Sequence, residues 1–172
     1  TVLEHDASQV EFLRKYGHKV FYGDASRQEL LHAAGALSAS ILVIAIDNHD
    51  KIMRIIDICK KHYPHLKLYV RAEGRGQAHA YHKAGVDVFI RETFHSALEM
   101  SEQVMTGLGS KASDAHRSIK IFKKYDEKHL RAIVKHDGEE KSYISAAKEN
   151  KAELERVMRE DKDGCDEFSR QL

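Results

Sequence analysis

Ser40-Ile41-Leu42-Val43-Ile44-Ala45-Ile46-Asp47-Asn48 decides the fold. From Ile41 to Ile46 every side chain is apolar, so both faces of an extended segment would be apolar, as in a parallel strand covered on both sides by helices. The run is far shorter than the ~18 to 20 apolar residues that would span a bilayer. Asp47-Asn48 ends it abruptly and begins a polar loop. A strand over 40–46 is therefore expected, central in its sheet, with a polar carboxyl end.

Working outward, shorter β-rich segments at about 1–4, 18–22, 66–71 and 86–90 alternate with amphipathic stretches. Gln9-Val10-x-Phe12-Leu13-x-x-Tyr16 and Ile52-x-x-Ile55-Ile56-x-Ile58-Cys59 space apolar residues three and four apart, which gathers them on one helical face. Helices over 26–34 and 75–84 have enough apolar residues to cover a sheet face. Gly17, Gly35 and Gly85 follow helical patterns, and Pro64 follows the helix through His62. The fold class expected is α/β, a Rossmann-like doubly wound parallel sheet. Past Phe94 no β-rich run follows: Ala97 to Gly109 reads as a closing helix. Residues 113–135 read as another, carrying Ile119, Ile121, Phe122, Tyr125, Leu130, Ile133 and Val134. After Asp137 the chain is polar, and Leu154, Val157 and Met158 support only a narrow stripe, for a helix packed on a partner or a partly disordered tail. The organisation expected is a nucleotide-binding domain over 1–109 and a C-terminal helical extension over 110–172 for dimerisation and tail.

The 172 residues carry 28 Lys and Arg against 27 Asp and Glu, so no broad field draws nucleic acid or anionic lipid to the surface. Cys59 and Cys165 lack paired spacing and read as free thiols in a reducing compartment. No Ser-His-Asp set, H-E-x-x-H motif or cysteine pair is present, so neither catalytic nor metal-ligating residues are assigned. His79 and His82 lack a carboxylate or Cys at ligand spacing and read as surface residues. The chain opens directly on Thr1-Val2-Leu3-Glu4, without an initiator Met or leader, and reads as part of something longer.

In a doubly wound sheet ligands bind outside the carboxyl ends of the strands. Those ends are polar here: Glu4-His5-Asp6, Gly23-Asp24-Ala25, Asp47-Asn48, Arg71-Ala72-Glu73 and Arg91-Glu92-Thr93. Glu4 is placed to accept from adenosine ribose hydroxyls if a strand comes before Thr1, and Asp6 reads mainly as the cap of the next helix. Asp24 is either an acceptor for the adenine amine or a helix-start residue. Arg71 either meets a pyrophosphate or pairs with Glu73 or Glu92. The candidate nucleotide set is Glu4, His5, Asp6, Asp24, Ala25, Asp47, Asn48 and Arg71. Gly74-Arg75-Gly76 lacks the third glycine of a phosphate loop and reads as a helix start.

Leu13-Arg14-Lys15-Tyr16-Gly17-His18-Lys19-Val20-Phe21-Tyr22-Gly23-Asp24-Ala25-Ser26, with Leu30-Leu31-x-Ala33-Ala34-Gly35-Ala36, resembles the RCK/KTN domain of Kef-type potassium-efflux antiporters. His62-Tyr63-Pro64-His65-Leu66, Ala84-Gly85-Val86 and Arg91-Glu92-Thr93-Phe94-x-x-Ala97-Leu98 carry the same resemblance, which covers about residues 1 to 126. The tail after Asp137 carries no matching motif. The resemblance implies a regulatory domain, not an enzyme, hung from a membrane antiporter domain of the same chain at the cytoplasmic face of the bacterial inner membrane. It implies a homodimer that binds an adenine nucleotide (AMP, NAD or NADH) and is held shut by glutathione, with glutathione adducts opening it. It admits an ancillary flavin oxidoreductase subunit as a further partner, and no nucleic acid. By resemblance Arg91 is the glutathione arginine, and Asp126 stands where well-known members place an Asn from the other subunit. An ion pair between Arg91 and Asp126 across the dimer is the structural alternative. The family's first strand and Gly-rich loop are absent from this sequence and would precede Thr1. Two other classes fit the fold. An NAD-dependent oxidoreductase would need a substrate domain with an acid or base, and a redox-sensing DNA-binding regulator would need a basic winged helix.

Overall fold

The computed structural model describes residues 1–132, 148 and 151–160. They belong to two compact units, Thr1–Ile90 and Arg91–Leu172. The first begins with β1 (Val2–Glu4), α1 (Ala7–Lys15), β2 (Val20–Tyr22) and α2 (Gln28–Ala33). β3 (Ile41–Ile44), α3 (His49–His62), β4 (Lys67–Ala72), α4 (Arg75–Lys83) and β5 (Val88–Arg91) follow. The strands alternate with helices as the sequence periodicity predicts, and every described strand pairing is parallel.

The strands divide into two sheets, β1-β2 and β3-β4-β5. Val2 lies opposite Val20 and Glu4 opposite Tyr22; Ile41 lies opposite Lys67 and Ile44 opposite Val70. The expectation that the 40–46 strand is central is therefore corrected: among the described residues β3 is an edge strand, bonded to β4 alone. Its two faces also differ in burial. Ile44 is 3% exposed, whereas Ile41 and Val43 on the other face are 49% and 68% exposed. An apolar period cannot distinguish a strand flanked on both edges from one flanked on one, because side-chain patterning reports faces and not edges. Between β1 and β3 lies a cleft of about 760 Å³, lined by Val2, Leu3 and Glu4 on one side and Ile41 to Ile46 on the other.

Caps and burial explain the helices. Asp6 accepts from the amides of Ser8 (2.8 Å) and Gln9 (3.1 Å) and starts α1, satisfying donors that the first turn leaves without partners. Asn48 does the same for α3 by accepting from Lys51 N at 2.9 Å. Ile52, Ile55, Ile56 and Cys59 form the buried face of that helix, and each large aliphatic removed from water contributes about 1.5–3 kcal/mol. Lys60, Lys61 and His62 occupy its last turn, where cations oppose the macrodipole. Burial also raises the Cys59 thiol to about 11, chiefly through desolvation, so it is an inert core thiol.

Gly23 closes β2 with φ 147°, and a Cβ there would strike the Leu30 side chain. Gly23→Ala is expected to cost about 1–3 kcal/mol, because strained backbone and contact add. Urea denaturation of the variant measures this, and an unchanged midpoint would show that the turn relaxes freely.

The second unit is helical: α5 (Phe94–Gly107) and α6 (Ala112–Ala132) are followed by a described helical stretch at 151–160. Leu98, Ala115 and Leu130 are buried here, and His116 Nδ1 lies 3.0 Å from Glu102 Oε1 between the two helices. Leu154, Val157 and Met158 are half-buried. Ile133, Val134 and Cys165 lie outside the described residues. Met100 and Val104 on α5 and Leu108 at its C-cap are 67%, 54% and 83% exposed at four-residue spacing, which aligns them in one stripe. Among the described residues no helix is long and apolar enough to cross a membrane.

Candidate functional site

The carboxyl ends of β1 and β2 carry the first acceptors. Glu4 Oε1 accepts from its neighbours' amides, His5 N at 2.7 Å and Asp6 N at 2.9 Å, and His5 Nδ1 lies 3.1 Å away. The Asp6 amide, ahead of the smaller contributions from His5, holds this carboxyl below its ordinary value. Glu4 Oε2 has no hydrogen-bond partner among the described residues. The turn thus fixes one oxygen and presents the other. His5 is exposed, and Asp6 spends Oδ1 on the helix cap, as its sequence reading expects.

Asp24 is more fully committed. Oδ1 accepts from Ser26 N at 2.9 Å and Oδ2 pairs with Lys51 Nζ at 2.9 Å. The ammonium first, and then the Ser26 amide, hold its carboxyl well below the usual carboxylate range. Both open readings of Asp24 bear on this geometry: the carboxylate anchors the turn after β2, and any ligand amine must share its second oxygen. Ala25 lines the cleft beside it.

After β3 and β4, Asp47 and Arg71 form an ion pair, and Arg71 also donates to Ala45 O at 3.3 Å. Asp47 is 93% exposed, so this pair is open to competition by a dissolved anion. Asn48 serves as the α3 cap, which leaves its side-chain amide N–H₂ as the group able to meet a ligand. Beside these lies a network that sequence reasoning missed. His49 Nδ1 lies 3.2 Å from Tyr81 Oη, Tyr81 donates to Gln77 Oε1 at 3.3 Å, and Gln77 Nε2 donates to Glu73 Oε2 at 3.1 Å. The Glu73 amide donates back to Gln77 Oε1 at 2.8 Å. The His49 and Tyr81 rings stack with centroids 5.5 Å apart, and burial raises the Tyr81 hydroxyl. His49 directly after Asp47-Asn48 was the available signal; Lys51, two residues on, was another.

In the second unit Arg91 pairs with Asp126, and the two side chains are 11% and 12% exposed. The guanidinium carbon also sits 3.5 Å from the Phe94 ring centroid, a cation–π geometry. The pair is formed within one chain, whereas the sequence alternative set it across a dimer. Gly74 precedes the first turn of α4, so the Gly74-Arg75-Gly76 stretch is a helix start. His79 is half-buried, and its Nδ1 has no hydrogen-bond partner among the described residues, which departs from the surface reading. Among the described residues no group of three or more His, Cys, Asp or Glu is placed to hold a metal.

Comparison with known proteins gives two consecutive family matches. The TrkA-N domain model matches residues 1–92, and the potassium efflux system KefB C-terminal domain model matches residues 96–171. The second match extends the likeness through the tail, where no motif was legible. Among solved structures, the chain is similar to a Kef CTD of Shewanella denitrificans in AMP-bound form, at 37% identity and TM-score 0.68, covering 80% of this chain and 98% of that one. The TrkA-N domain of the Escherichia coli inner membrane protein ybaL is 20% identical, with TM-score 0.53 and coverage of 63% and 78%. An NAD(P)-binding domain of an exopolyphosphatase-related protein from Archaeoglobus fulgidus, 10% identical at TM-score 0.53 with coverage of 61% and 79%, shares the fold alone.

Proposed function

The chain belongs to the Kef potassium-efflux C-terminal regulatory domains with their TrkA-N fold, and from that premise we propose that it binds an adenine nucleotide at the strand ends and gates an antiporter in response to glutathione. Glu4 takes the ribose, Asp24 the adenine amine, and Arg71 the phosphate, with His5, Asp6, Ala25, Asp47 and Asn48 completing the rim. The observation that carries this reading is Glu4: one oxygen is fixed by two amides and the other has no partner among the described residues. The AMP in the Shewanella relative supports an adenine nucleotide as the ligand. Titration calorimetry with AMP, NAD and NADH tests the reading and ranks the three. No heat from any of them would overturn it.

Glutathione is assigned to Arg91, with Asp126 as the residue it must displace. The domain is proposed to act at the cytoplasmic face of the inner membrane, covalently attached to a potassium/proton antiporter, with a flavin oxidoreductase subunit as an ancillary partner. Ligands act by favouring one of two arrangements of a homodimer.

The dimer is assigned to the helical segment from 110 onward, extended by the exposed stripe Met100, Val104 and Leu108. A solvent-facing apolar row at four-residue spacing is the pattern of a helix seam. Val104→Glu is expected to give monomer in light scattering, while Phe122→Glu, on a half-buried residue 6.5 Å from Phe94, lowers stability as well. A Val104→Glu protein that remains dimeric would place the interface elsewhere.

A further inference from the structure

We infer that Lys51 competes with the adenine ring for Asp24 and thereby sets how tightly the rim holds an uncharged purine nucleoside. This rests on the nucleotide reading above and deepens it. Asp24 cannot turn to offer a fresh oxygen, because Ser26 N fixes Oδ1 at 2.9 Å. The other oxygen belongs to Lys51, at 2.9 Å. An exocyclic amine needs an acceptor at about 2.7–3.2 Å, so adenine must share this oxygen with the ammonium or displace it, and either way the two donors compete for one acceptor.

The geometry makes that exchange feasible. The Lys51 backbone is held in the first turn of α3, where its amide donates to Asn48. Its ammonium rides on a flexible four-carbon stem, and the Lys51 side chain is 39% exposed, against 36% for that of Asp24. A pair so open to water is weak and reversible. Shared or displaced, the ammonium keeps its positive charge at the rim, which attracts an anionic, phosphorylated ligand and does nothing for a bare nucleoside. Lys51 therefore opposes adenosine and favours AMP over adenosine, which makes it a specificity residue for the phosphorylated ligand.

The test is calorimetric titration of adenosine and of AMP into the 172-residue chain, its Lys51→Met variant and the same variant in an Asp24→Asn background. Adenosine is expected to bind about two- to fivefold more tightly to Lys51→Met, with AMP gaining less or losing affinity. Added salt should tighten adenosine binding to the parent by screening the ion pair, and leave Lys51→Met unaffected. In the Asp24→Asn background the substitution should do nothing, since the two residues act as one unit. If the parent binds adenosine and Lys51→Met binds it equally or more weakly, the competition is refuted while the nucleotide reading stands. If the parent binds neither adenosine nor AMP, the nucleotide reading itself fails and takes this inference with it.

Discussion

Replacing Glu4 by Gln is expected to weaken AMP binding by about tenfold, and replacing it by Ala by more. The carboxylate is divided between two tasks: Oε1 holds the turn through His5 N and Asp6 N, and Oε2 is left for the ribose. Gln has a single carbonyl oxygen, so if that oxygen keeps the turn only the neutral N–H₂ faces the sugar, and the charged acceptor for the ribose hydroxyls is lost. A hydrogen bond to a charged acceptor contributes about 1.5–3 kcal/mol, and each 1.4 kcal/mol is tenfold in affinity. Ala loses the turn as well. The pH dependence has a definite sign. The Glu4 carboxyl lies below its ordinary value of 4.5, so its ionised form is present throughout neutral pH and its contribution to stability is lost only as pH falls through that lowered value. AMP affinity should therefore be flat, as far as Glu4 controls it, from about pH 5 upward. Calorimetry at several pH values, with Glu4→Gln beside the parent, measures both effects. Parent-like affinity in Glu4→Gln would remove Glu4 from the ribose.

Much of this rim was legible because caps and strand ends leave local signatures. Asp6 before Ala-Ser-Gln starts its helix as read, by satisfying amides within three residues; Asn48 before His-Asp-Lys does the same, although the sequence reading placed it only in the nucleotide rim. An apolar run does not mark where a strand stops pairing, so the strand expected over 40–46 is shorter in the fold, Ile41–Ile44. Lys51 was missed because its partner Asp24 is on the other side of β3 in sequence, and period and propensity say nothing about which charges meet. The His49–Tyr81–Gln77–Glu73 network was hidden for the same reason: His49 and Tyr81 are 32 positions apart. The edge position of β3 was equally invisible, since it depends on which strands are present to bond with it.

The partnership of Arg91 and Asp126 leads to the other large effect. Arg91→Ala strips the guanidinium from a carboxylate that is 12% exposed, and removing one member of a buried pair costs about 3–5 kcal/mol. Residual exposure and water entry bring the expected loss to the low end of that range, about 3 kcal/mol, measurable by urea denaturation. Glutathione binding should fall in the same variant by very roughly 2 kcal/mol or more, because a guanidinium forms charge-assisted, bidentate bonds with a carboxylate. Loss of folding and loss of ligand are separated by Arg91→Lys, which keeps the charge and most of the packing on Phe94 but gives up the fork. It should fold and bind glutathione weakly. Asp126→Asn should act in the opposite direction on the ligand: it removes the like charge that a glutathione carboxylate meets and supplies an amide donor in its place. Displacement of a fluorescent glutathione adduct at fixed ionic strength compares the variants, with AMP affinity as an internal control that should barely move. If Arg91→Lys and Arg91→Ala both bind the adduct like the parent, Arg91 is a structural member of an ion pair and glutathione is read elsewhere. If Asp126→Asn fails to tighten binding while Arg91→Lys weakens it, Asp126 holds Arg91 in the geometry that the ligand requires and does not compete with it.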